Sequence, residues 1–248
     1  MSLYRYVKQN NSSSRKAFHY ASYLSLTAGA FLLFWSLYPI ISFEIYSKLF
    51  IERSFRSPVP RSSLASSLEK AGAVLGNYNV FSNNLRDFTQ ASLWFPSVKQ
   101  PQSVGDFKIK SYVLSIPKLG IKEAKVVVGG EDLAKSLVQF LPRSLPGEYG
   151  NMVIFGHSSL PQLYNGHDYR TLFTYLPSLN KGDEIGVTVG DTTYRYEVYD
   201  MFVVKPDQVS VLEQQTDAAY LTLITCVPPG TLWNRLVVKA RLTKIPSF

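Results

Sequence analysis

The reading of this chain turns on Leu221-Thr222-Leu223-Ile224-Thr225-Cys226-Val227-Pro228-Pro229-Gly230 and the stretch that follows it, Arg235-Leu236-Val237-Val238-Lys239-Ala240-Arg241-Leu242. The first run is apolar and β-branched, the composition of a strand. Pro228 and Pro229 stop it because proline has no N–H to donate to a ladder. In the second stretch Leu236, Val238, Ala240 and Leu242 alternate with Arg235, Val237, Lys239 and Arg241, the period of a half-buried strand. The eight residues between Cys226 and Arg235 suffice for an antiparallel return but are short for a parallel crossover. The spacing therefore places Cys226 and Arg235 on one rim of a sheet.

Outward from this hairpin, strands are expected at 112–116, 121–128, 151–155, 184–189, 193–199, 201–204, 220–225 and 235–242, punctuated by Gly, Pro, Asn and Asp. Glu131 to Leu137 reads as one or two helical turns. Strands do not alternate with long helices, which disfavours a parallel α/β sheet and favours a closed or partly closed antiparallel barrel.

The N-terminal half is built differently. Tyr20 to Phe43 is a 24-residue stretch without charge, and as a helix it would extend roughly 36 Å, enough to cross a bilayer. Arg5, Lys8, Arg15 and Lys16 precede it without one acid, which orients the N-terminus toward the cytoplasm. A cleaved signal peptide is the competing reading, but the apolar stretch is long for a signal core and no small-x-small site follows it. The expected organisation is a basic cytoplasmic N-terminus (1–19), a transmembrane signal anchor (20–43), an extracytoplasmic stalk (44–108) and a folded domain (109–248). The stalk is rich in Ser and Pro and reads as a spacer, with Leu64, Leu68, Ala71 and Leu75 at helical spacing within it.

The net charge of +8 does not indicate nucleic acid. Residues 110–243 hold thirteen Lys/Arg against thirteen Asp/Glu, and apart from Lys244 the excess lies in the leader and the stalk, where it fits a membrane and an anionic envelope. Among the loop carboxylates, Glu148, Asp168, Asp207 and Glu213 do not have the spacing of a calcium loop, so no cofactor is expected, with calcium left as an unsupported alternative.

Cys226 is the only cysteine. Outside the cytoplasm it cannot form an internal disulfide, and reactivity is one reason for a lone thiol to stand there. A free thiol has a pKa of about 8.5, so a nucleophilic role needs a proton acceptor. His157, at the end of the apolar run Met152-Val153-Ile154-Phe155, is the candidate. Arg235 stays protonated and its fork of donors suits an oxyanion. Taken singly, each has a plainer reading: a buried cysteine, a structural histidine, and an arginine no better qualified than Arg241 or Arg195.

As a set, these residues resemble the sortases, membrane-anchored cysteine transpeptidases of bacterial surfaces. Thr222-Leu223-Ile224-Thr225-Cys226 matches the family's TLxTC signature, Gly156-His157-Ser158 its histidine motif and Arg235 its arginine-opening final strand. Ile116-Pro117-Lys118-Leu119-Gly120-Ile121 looks like its first-strand boundary. The resemblance covers about 112–243. It implies an eight-stranded β-barrel with His157, Cys226 and Arg235 catalytic, and Thr225 shaping the substrate groove. It also implies cleavage of an LPxTG-like sorting signal through a thioester on Cys226. The acyl group would pass to an amine from a cell-wall precursor or a pilin. Trp94-Phe95-Pro96 does not match the family's Asp-Pro-aromatic lid motif, so housekeeping-type anchoring is expected over lid-controlled pilin assembly. The alternatives are a membrane-tethered peptide-binding module without catalysis and a simple thiol peptidase.

Overall fold

The computed structural model describes residues 12–51, 89–98 and 107–244. The chain divides into two compact units, residues 1–42 and 43–248. The expected stalk helix at 64–75 lies outside the described residues.

Helix α1 (Ser12–Tyr46, 35 residues) contains the whole apolar stretch and leaves Phe31, Leu32, Leu33, Phe34 and Trp35 exposed. By length and composition it can cross a membrane. Apolar side chains uncovered over so long a surface suit a lipid environment.

Eight strands form a closed barrel: β1 (Ser111–Ile116), β2 (Ile121–Val128), β3 (Leu137–Gln139), β4 (Gly150–Phe155), β5 (Glu184–Val189), β6 (Thr192–Val204), β7 (Ala219–Val227) and β8 (Asn234–Lys244). Around the barrel they run β1-β2-β3-β4-β7-β8-β6-β5. The architecture agrees with the sequence reading, with four corrections. Residues 193–204 are one strand, not two: Asp200 interrupts the β-favouring run only locally, and the ladder with β8 absorbs it as an irregularity between Val198 and Asp200. The eighth strand is instead β3, three buried residues too short to show alternation. Ser136 and Leu137 end no helix, and Glu131–Leu133 is extended enough to pair with another segment. The barrel is also mixed, since β2–β3 and β4–β7 are parallel pairs.

Two apolar layers hold the strands. The interior contains Leu114, Ile116, Val126, Met152, Ile154, Leu221, Leu223, Leu236 and Val238. A second cluster lies on the outer face of β4, β7 and β8, where Val153, Phe155, Ile224, Cys226 and Val237 meet Ala91, Trp94, Phe95, Leu133 and Phe140. β4 and β7 are therefore apolar on both faces, which explains their continuous rather than alternating hydrophobic runs. Residues 89–98, expected to belong to a spacer, supply this cover: Ala91, Trp94 and Phe95 are buried in the folded unit.

Candidate active site

The site is assembled by strand register. β7 and β8 are antiparallel, and Cys226 stands directly opposite Arg235. β4 runs parallel to β7 with Phe155 level with Ile224, so His157, two residues on, leaves the barrel at the level of Cys226. The three residues thus come from adjacent strands at one mouth. His167 lies in an exposed turn. Arg241 pairs with Tyr220 at the other end of β7.

Gly156 permits the turn that releases His157. A Cβ there would lie 2.5 Å from Phe173 Cδ2 and 2.6 Å from Leu137 Cδ2. The missing side chain lets the Phe173 ring close over the strand exit, and the Phe173 N–H donates to His157 O at 2.9 Å. Thr225 is fully buried and donates from its hydroxyl to Gly156 O at 2.7 Å. Its side chain therefore ties β7 to the exit of β4, on the opposite side of the strand from the Cys226 thiol.

Cys226 is 2% exposed, but on the outer face of the barrel, beneath residues 89–98, and not among the interior residues. Burial pushes its thiol pKa up, and the Arg235 charge acts in the opposite direction. His157 is shifted down to about 4, chiefly because burial disfavours the imidazolium, with Asp132 acting against that. Its Nε2 is buried without a hydrogen-bond partner among the described residues. Thiol and imidazole are therefore both neutral at neutral pH in this arrangement.

Arg235 is 4% exposed. Nη1 donates to Leu232 O at 3.0 Å and Asn234 O at 3.2 Å, while Nη2 donates to Trp94 O at 3.2 Å. Nε has no partner among the described residues. A buried guanidinium satisfied mainly by backbone carbonyls retains donor capacity for an incoming oxygen.

Trp94 is the residue that sequence reasoning missed. It is 1% exposed, stacks on Phe155 at 5.2 Å, touches the His157 ring at 5.5 Å and lies 5.4 Å from the Arg235 guanidinium carbon. Its segment is latched to the loop after β2 by a bridge between Gln90 and Asp132. Hydrogen bonds from Ala91 N to Glu131 O, from Leu133 N to Thr89 O and from Ser92 N to Glu131 Oε2 complete the latch. The available signal was the run Leu93-Trp94-Phe95, an apolar cluster with two adjacent aromatic residues inside the expected spacer.

A family model described as Sortase domain matches residues 114–243. Among curated relatives, sortase D of Bacillus subtilis (strain 168) is 28% identical over 144 residues, which covers 56% of this chain and 67% of the relative. Sortase A of Bacillus anthracis is 30% identical over 146 residues, covering 59% of this chain and 62% of that protein. A solved Clostridium perfringens sortase D5 transpeptidase matches with a TM-score of 0.47 and 28% identity, over 54% of this chain and 79% of that one.

Proposed function

The chain belongs to the sortase family, whose members are cysteine transpeptidases, and from that premise we propose that it cleaves an LPxTG-like sorting signal on protein substrates and transfers the acyl group to an amine. The observation that carries this reading is the register that sets Cys226 opposite Arg235 on one side and level with the exit of His157 on the other.

In the proposed reaction Cys226 gives its proton to His157, and the thiolate attacks the carbonyl carbon of the scissile bond. Arg235 donates to the oxyanion that forms. The C–N bond then breaks, and the His157 imidazolium returns its proton to the leaving amine, which leaves a thioester on Sγ. A second amine attacks the thioester, loses its proton to His157 and releases the Cys226 thiolate. A cell-wall precursor or a pilin lysine is the proposed acceptor.

The described arrangement is a closed state of this machinery. Trp94 contacts both the imidazole and the guanidinium, and its carbonyl occupies an Arg235 donor. Residues 89–98 must move aside before an acyl group can reach Cys226. In the cell, α1 would anchor the chain with its basic N-terminus in the cytoplasm and the barrel outside, in accord with the unopposed Arg5, Lys8, Arg15 and Lys16.

Mass spectrometry of the full chain incubated with a panel of sorting-signal peptides tests this reading. A thioester adduct on Cys226, absent in Cys226→Ala and His157→Ala, is the expected result. Undiminished peptide turnover in either variant overturns it.

A further inference from the structure

The backbone pairing of β4 with β7 runs to Phe155 opposite Ile224, and the Gly156 N–H donates to Ile224 O at 3.1 Å. Beyond this point the strands must separate, because His157 turns its carbonyl to Phe173 N. Two hydroxyls tie the diverging chains. Thr225 Oγ1 donates to Gly156 O, and Ser158 Oγ donates to Cys226 O at 2.5 Å.

The Ser158 bond is the one closest to the chemistry. It joins the residue after the imidazole to the backbone of the residue that carries the thiol, across 68 residues of chain. In a regular parallel ladder, the bond after Gly156 N–H to Ile224 O would be made by the backbone of the residue two further along. Here a side chain reaches to the Cys226 carbonyl. The hydroxyl thus preserves the cross-strand spacing at the level where His157 is released from the sheet. The bond is partly buried, and a hydrogen bond shielded from water in this way holds geometry more firmly than one in solvent.

We infer that Ser158 is a positioning residue: by holding the Cys226 carbonyl, it fixes the separation of the Cys226 thiol from the His157 imidazole. The inference rests on the transpeptidase reading above for its kinetic consequence. A displaced thiol transfers its proton to the imidazole less readily, and the Ser158 hydroxyl is engaged by the Cys226 carbonyl. The loss therefore falls on kcat and spares KM. Ser158→Ala removes the hydroxyl, and Ser158→Thr keeps it.

Peptide turnover and iodoacetamide alkylation of Cys226 at neutral pH are measured on the full chain with Ser158, Ser158→Ala or Ser158→Thr, all carrying Trp94→Ala so that access is equal. Ser158→Ala is expected to lower kcat about tenfold with KM within about twofold, and to slow alkylation about threefold. Ser158→Thr is expected to restore both. Unchanged kcat and alkylation in Ser158→Ala, or an equal fall in Ser158→Thr, overturns the inference. Should the chain show no turnover at all, the transpeptidase reading fails, while the ratio of alkylation rates still decides the positioning role.

Discussion

The backbone carbonyl of Trp94 accepts a hydrogen bond from Arg235 Nη2 at 3.2 Å, joining residues 141 positions apart. The guanidinium that would receive a substrate oxygen is thus already engaged by the chain's own backbone, with the Trp94 indole over the same group. Occupation of the candidate site by a neighbouring segment makes access to Cys226 a property of residues 89–98 as much as of the barrel.

Replacing Trp94 with alanine is expected to open the site. Removing a buried tryptophan costs about 3 kcal/mol or more, and here much of that loss falls on the closed position of one segment. The rate of Cys226 alkylation by iodoacetamide is predicted to rise about tenfold or more. An unchanged rate would mean that the segment already leaves freely in the parent chain.

The neutral imidazole predicts an acid-sensitive fold. His157 is held at about 4 in the fold, against about 6.5 when unfolded. Between these values the unfolded chain binds the extra proton. The stabilising effect of keeping His157 neutral is fully present above about pH 6.5 and is lost as the pH falls toward 4. With its partial exposure taken into account, the loss is on the order of 2 kcal/mol. Urea midpoints measured across this range should fall in the parent chain and fall less in His157→Gln. The raised thiol pKa acts at the other extreme: unfolded Cys226 ionises first, so its contribution fades as the pH rises above about 8.5.

Arg235 should not tolerate lysine. Its fork donates to Leu232 O, Asn234 O and Trp94 O together, and an ammonium cannot span that geometry. Both Arg235→Lys and Arg235→Ala are expected to reduce kcat about 100-fold or more, as loss of an oxyanion donor does. Steady-state kinetics that show Arg235→Lys close to the parent rate would remove Arg235 from this role.

Gly156→Ala tests the packing that releases His157. The added methyl would meet the Phe173 ring and Leu137 Cδ2, both inside contact distance. Overpacking of this kind costs about 1–3 kcal/mol. Thermal denaturation should show the loss, and peptide turnover should fall with it because the imidazole is displaced.

Much of the barrel was legible because its strands carry their own marks. β7 ends at Val227 before Pro228 and Pro229, and β8 alternates as a half-buried strand should. The antiparallel return between them followed from loop length, which brought Cys226 and Arg235 to one rim. β3 was not legible: at three buried residues it has no period to read. Asp200 split β6 on paper because local propensity disfavours aspartate in a strand, whereas the ladder with β8 carries the chain through. Thr225, read as a groove residue from its place beside the thiol, turns inward because side chains alternate along a strand and Cys226 takes the outer face.

The sequence by itself determined the helix that can cross a membrane, most of the strands, and three residues, His157, Cys226 and Arg235, whose types and local settings fit thiol chemistry. These depend on composition, period and punctuation over a few residues. Only the tertiary structure decided that β4 lies parallel beside β7, that Thr225 and Ser158 lace the two exits together, and that Trp94 covers the site. Those contacts join positions 60 or more residues apart, and no local pattern encodes which distant surface a buried aromatic ring will fill.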